Sequence, residues 1–185
     1  DDDEVKEWLE ECRDRTLRRK AASLFYAEGP ESLVDYVGFG TGCLMCEEAP
    51  QPINKTVRGF RGFYYHAEKT GRFVIEDGPD GLVDTIYREF ELSGRVMESL
   101  WGLDALPVHI RERNRAGKSD EVYIIIHAIY PRPKAEQGYG NKGALWASCW
   151  VEHKSKHVCN ESGYDIFPAA VPRYQRTPGE VYGRG

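Results

Sequence analysis

Val5, Trp8, Leu9 and Cys12 recur at i, i+3, i+4 and i+7, and Thr16, Leu17, Leu24 and Phe25 continue the stripe less strictly. This period predicts an amphipathic helix over about residues 3–27. Acids from Asp1 to Glu4 stand at its positive end, and Arg18, Arg19 and Lys20 lie toward the other, as the helix dipole favours. Gly29-Pro30 is expected to break it. A second, shorter helix is expected from Pro30 to about Val37, with Leu33, Val34 and Val37 turned inward and Pro30 in the first turn. The glycines of Gly38-Phe39-Gly40-Thr41-Gly42 close it.

From Cys43 the pattern shifts toward strands. Residues 43–47 are a short apolar run, residues 51–54 a turn, and residues 57–67 an aromatic-rich strand. Two β-rich runs, 72–76 and 82–92, flank Asp77-Gly78-Pro79-Asp80-Gly81, which predicts a hairpin. In the second run Val83, Thr85 and Tyr87 alternate with Asp84, Ile86 and Arg88. Residues 93–101 read as a helix capped by Ser93, with Val96, Leu100 and Trp101 as its apolar face and Gly102 as its stop. Residues 103–115 hold a short helix or a loop, and Arg111, Arg113, Arg115 and Lys118 form a solvated basic stretch. Residues 122–130, with three consecutive isoleucines, predict a buried central strand that Pro131-Arg132-Pro133 ends. Residues 138–143 read as a mobile loop and 144–153 as a strand with Trp146, Ser148 and Trp150 on one face. Residues 153–163 read as a polar turn. The last eighteen residues, with Pro168, Pro172 and Pro178, are expected to be extended and held by partners rather than by regular pairing. Helices first, then strands with a short helix pair inserted, predict an α+β fold with mainly antiparallel sheet. The expected divisions are a helical segment over 1–42, a β-rich domain over 43–167 with its inserted helix at about 93–101, and the extended segment 168–185.

Composition narrows the function classes. The chain has 185 residues, 41% hydrophobic and 30% charged, which is a globular rather than a disordered composition. A chain of this length can bury roughly 70% of its unfolded surface, so it needs no disulfide or metal staple. Thirty acids against twenty-five bases leave a net charge of −5, which argues against a basic coat for nucleic acid. The longest apolar run is too short for a membrane span of about 20 residues. Five cysteines at irregular spacing do not form a disulfide framework, so a reducing compartment is the simpler expectation. There is no visible signal peptide, and both ends read as cuts in a longer protein.

The candidate chemistry is sparse. Cys43 and Cys46 have C-x-x-C spacing, and with His153 and His157 they could assemble a zinc site and a small metal-dependent hydrolase. Against this, positions i and i+3 of a strand face opposite sides, and the histidines are over a hundred residues away. Asp77, Asp80 and Asp84 could serve acid–base work or calcium, but a hairpin turn already requires such residues. The glycines at 38–42 follow a helix and precede a strand, the reverse of a phosphate cradle. No catalytic set and no cofactor are expected. More informative is a surplus of aromatics with arginines between them: Arg58, Phe60, Arg61, Phe63, Tyr64 and Tyr65. Together with Arg173, Arg176 and Arg184 of the tail they read as a protein–protein surface. Stacking on nucleic acid by Arg58, Arg61 and the aromatics is the other reading.

Several segments in order resemble the portal proteins of short-tailed bacteriophages, the head-to-tail connector family. They are the opening helix with Trp8-Leu9, Val37-Gly38-Phe39-Gly40-Thr41-Gly42, Gly81-Leu82-Val83-Asp84-Thr85-Ile86-Tyr87-Arg88-Glu89-Phe90 and the helix from Ser93. Further on come His127-Ala128-Ile129-Tyr130-Pro131-Arg132, Val171-Pro172-Arg173-Tyr174 and Thr177-Pro178-Gly179-Glu180-Val181-Tyr182-Gly183-Arg184-Gly185. The stretches from Asp84 to Arg88 and from Gly179 to Arg184 are the most specific. The resemblance implies the outer, wing-like part of a portal subunit, with stem and clip elsewhere in a longer protein. It implies a virion protein at one capsid vertex, made in the host cytoplasm, that forms a ring, usually of twelve copies. Such a ring passes double-stranded DNA loosely and docks the packaging motor, capsid and tail. An acidic chain suits a conduit, because tight phosphate binding would stall sliding DNA.

Overall fold

The computed structural model describes residues 2–48 and 62–185. The chain forms two compact units, one of residues 1–70 with 168–185 and one of residues 71–167. The fold is α+β with antiparallel sheets, as the order of elements predicts.

In the first unit, α1 (Asp2–Ala21) and α2 (Phe25–Phe39) precede β1 (Leu44–Glu48) and β2 (Phe63–Ala67). Strand β8 (Ala169–Ala170) completes a three-stranded sheet ordered β2-β1-β8. The break between the helices falls at residues 22–24, not at Gly29-Pro30. Ser23 makes it: its hydroxyl donates to the Lys20 carbonyl at 2.6 Å and accepts the Phe25 amide at 3.2 Å, so it closes one helix and opens the next. Pro30 therefore sits inside α2 rather than in its first turn. The expected inward face of α2 is also reversed. Leu33, Val34 and Val37 are 58%, 67% and 70% exposed, whereas Ser32 is buried. Gly40 ends α2 in the left-handed conformation, φ +79°, as the glycine run predicts.

In the second unit five strands form an antiparallel meander, β3 (Phe73–Asp77), β4 (Val83–Ser93), β5 (Val122–Pro131), β6 (Trp146–Glu152) and β7 (Val158–Tyr164). The β3–β4 turn forms where Asp77 to Gly81 predict it. The Asp80 carboxylate accepts the Leu82 amide at 2.9 Å and Gly81 takes φ +75°. The expected polar turn at 153–163 is instead a tight turn followed by β7. Asn160, Glu161 and Ser162 hide that strand from a hydrophobicity pattern, yet they pair with Trp150, Cys149 and Ser148. Of the strands, β1 and β2 from the expected β-rich region and β8 from the segment expected to be extended belong to the first unit, and β3 to β7 to the second.

Helices α3 (Gly94–Trp101) and α4 (Val108–Arg115) are inserted between β4 and β5. Ser93 caps α3, accepting the Val96 amide at 3.4 Å. Its buried residues are Gly94 and Met97; Val96 and Leu100 face outward, contrary to the expected face, whereas Trp101 packs on the core as expected. Met97, Leu106 and Ile110 from this insertion pack on Ile125 of β5 and Cys159 of β7 to form the core, flanked by Phe90, Trp101, Tyr123 and Trp150. Burial pushes the Cys159 thiol up to about 11, which keeps it protonated and inert.

Candidate interaction surfaces

Cross-strand register puts Ile86, Ile129 and Ser148 in one row of the second sheet, Arg88, His127 and Trp150 in the next, and Phe90, Ile125 and Glu152 in the third. Residues directly opposite share a face, so this buried face carries an arginine, a histidine and a glutamate among its apolar side chains. Arg88 donates to His127 Nδ1 at 2.5 Å, and the other ring nitrogen lies 2.8 Å from Ser148 Oγ. A guanidinium can only donate, so Nδ1 is the acceptor and Nε2–H donates to Ser148. The ring lies flat on Trp150, centroids 3.9 Å apart. Burial, then the Arg88 charge, holds the His127 pKa well below its ordinary value. With every polar atom of the ring engaged and no exposure, this trio stabilises the sheet and is not open to a substrate.

Glu152 works on the turn beside it. Its carboxylate accepts the Lys154 amide at 3.0 Å, the Ser155 amide at 2.6 Å and the Ser155 hydroxyl at 2.5 Å. Burial pushes its pKa up, but the Ser155 and Lys154 donors outweigh that and hold it below the ordinary carboxylate value. A lowered folded pKa contributes stability above pH 4.5 that is lost as pH falls through the folded value. Glu152→Gln is expected to reduce stability by about 1–2 kcal/mol at pH 7. It should also flatten the decline below pH 4.5, both read from urea unfolding midpoints across pH.

The candidate metal residues are not brought together by any element. Cys43 and Cys46 belong to the first unit and His153 and His157 to the second. Cys43 is buried, and Cys46 hydrogen-bonds with Tyr65. A carbonyl, that of Ala105, lies 3.0 Å from His157 Nε2. Among the described residues no three His, Cys, Asp or Glu side chains cluster closely enough to share a metal ion.

Of the aromatic and arginine surface, Arg58, Phe60 and Arg61 lie outside the described residues. Phe63 and Tyr64 are on β2, with Phe63 exposed; Tyr65 is buried edge-to-face on Phe25 at 5.1 Å. The tail arginines serve the tail's own shape. Arg173 donates to the Val181 carbonyl at 3.0 Å, Arg176 to the Glu180 carbonyl at 3.2 Å, and Arg184 pairs with the Glu180 carboxylate. The tail itself is not loose. Ala169 and Ala170 pair with Met45 and Leu44, Tyr174 donates to the Gly40 carbonyl at 2.8 Å, and Gly183 donates to Thr41 Oγ1 at 2.8 Å. A Cβ on Gly183 would fall on the Gly40 carbonyl, so this close approach demands glycine.

The outward helix faces carry a signal that sequence reading assigned to the core. α1 buries no residue; Trp8 is 61% exposed, with Val5 and Leu9 beside it. On α2, Tyr26, Leu33, Val34 and Val37 continue an exposed apolar stripe. Exposed apolar surface on a helix is where protein–protein, membrane or ligand contacts are found.

The structure is that of an α+β protein whose buried polar row is engaged internally and whose first two helices leave apolar side chains outward. Comparison with known proteins assigns it more closely. Residues 1–185 match the family described as bacteriophage head to tail connecting protein, and the chain belongs to that family. It is 28% identical over 181 residues to the portal protein of Salmonella phage epsilon15, covering 96% of this chain and 31% of that protein. It is also 28% identical over 123 residues to a probable portal protein of Bordetella phage BPP-1, covering 65% of this chain and 22% of that protein. The chain thus spans less than a third of the length of these curated relatives.

Proposed function

We propose that this chain is the wing-like part of a phage portal subunit, a structural virion protein that acts through contacts rather than catalysis. The observation that carries this reading is the family match along the whole chain, with a relative named as a portal protein aligned over nearly all of it. The exposed apolar stripes of α1 and α2 support it, because a ring subunit must present surfaces to its neighbours. In this reading the longer protein forms a closed ring, of twelve copies by family resemblance, at one vertex of the capsid. The ring passes double-stranded DNA loosely and docks the packaging motor, the capsid and the tail. It assembles in the host cytoplasm before joining the virion. Phe63, Tyr64, Arg173, Arg176 and Arg184, with Arg58, Phe60 and Arg61, are its proposed contact residues. Electron micrographs of the longer protein test it. Closed rings with a central channel are the expected result, and uniformly single particles across a wide concentration range overturn it.

A further inference from the structure

An open groove of about 1090 Å³ lies within the second unit, between α4, the start of β5 and the β6–β7 turn. Its lining includes the apolar side chains of Val122 and Ile124, both exposed. Around them stand Arg113, His109, His153, Lys154 and Lys156. The two carboxylates in the lining are already engaged. Glu121 accepts Arg113 at 2.7 Å and the Tyr123 hydroxyl at 3.1 Å, and Glu152 holds the turn. Arg113, Lys154 and Lys156 against Glu121 and Glu152 leave the groove one positive charge in excess, carried by the exposed Lys154 and Lys156, in a chain of net charge −5.

The complement is on the same chain. The first ten residues of α1 carry Asp2, Asp3, Glu4, Glu7, Glu10 and Glu11 against the single base Lys6. The apolar side chains among them, Val5, Trp8 and Leu9, are exposed and lack cover. We infer that the acidic half of α1 from one copy docks in the second-unit groove of a neighbouring copy. Trp8 and Leu9 meet Val122 and Ile124, while the glutamates meet Lys154 and Lys156. The charge match selects this pairing over α1 with α1 in parallel, where acids would face acids. Helix and groove are different surfaces, so each copy gives one and receives one, the heterologous arrangement that closes a ring. The inference rests on the ring reading above and supplies its contact.

Disulfide trapping in the longer protein tests it, in a Cys12→Ser background with Leu9→Cys and Val122→Cys together. Both substituted positions are exposed, so folding is preserved. Oxidation is expected to give a ladder of linked dimers, trimers and higher species, and neither single variant should give it. Rings without a ladder overturn the docking but leave the ring reading intact. Linked dimers from Leu9→Cys alone, or a link within one chain, overturn it as well. A ladder in a preparation without rings upholds the docking and overturns closure. Independently, Lys154→Glu with Lys156→Glu should weaken association roughly ten-fold, and Glu7→Lys with Glu11→Lys should restore it. Equal weakening with and without the compensating pair overturns the contact.

Discussion

Replacing Ile125 with alanine is expected to lower the unfolding free energy by about 3–4 kcal/mol. Ile125 is fully buried at the middle of the five-stranded sheet. It packs in one cluster with Met97 of α3, Leu106 and Ile110 around α4, and Cys159 of β7. The side chains around it come from α3, α4, β7 and the loop before α4, so a cavity there cannot collapse by moving one of them. The lost transfer energy and the unfilled volume both count. Urea unfolding should show a lower midpoint at unchanged slope. Val122→Ala, three residues earlier and exposed, should change stability by less than about 0.5 kcal/mol. A loss below about 1 kcal/mol at Ile125 would mean that α3 and α4 are not held by this cluster.

His127→Leu should cost about 3 kcal/mol, although leucine suits a buried strand. The imidazole accepts from the buried Arg88 and donates to the buried Ser148, so leucine removes a partner from both and the flat stack on Trp150 with them. The pH dependence separates this from a packing defect. His127 is neutral in the folded state because burial and Arg88 disfavour its charge. The unfolded chain therefore binds a proton near pH 6.5 that the folded chain refuses. Stability is full above that pH and falls as pH drops below it, by up to about 1.4 kcal/mol per pH unit. The leucine variant should lose this slope between pH 6.5 and 5. An unchanged slope would show that another group sets it.

Local signals were the legible ones. Asp77 to Gly81 dictated a turn, Ser93 a helix start, Gly40 a helix end, and the isoleucines of β5 a central strand. Each works through its own backbone neighbourhood. Signals that depend on distant chain were not. The stripe of Leu33, Val34 and Val37 has a helical period, but period does not say which face the rest of the molecule covers. Strand β7 is held by pairing to β6 despite its polar residues. The row Arg88, His127 and Trp150 exists only once three strands are in register, so no spacing announces it. The tail read as partner-held because the groups that hold it, Gly40 and Thr41, are more than 130 residues earlier. Among candidate site residues, the sequence grouped thiols and imidazoles by type, whereas the fold assigns them to separate units.

The first unit is discontinuous in the chain, with β1 waiting for β8 and Thr41 for Gly183. The second is a single uninterrupted stretch. During synthesis the meander can therefore complete its hydrogen bonds while its host still lacks an edge strand, so the host is the later-maturing piece. Once residues 71–167 have left the ribosome and 168–185 have not, the insert is complete while the first unit still lacks β8 and the Gly183 contact.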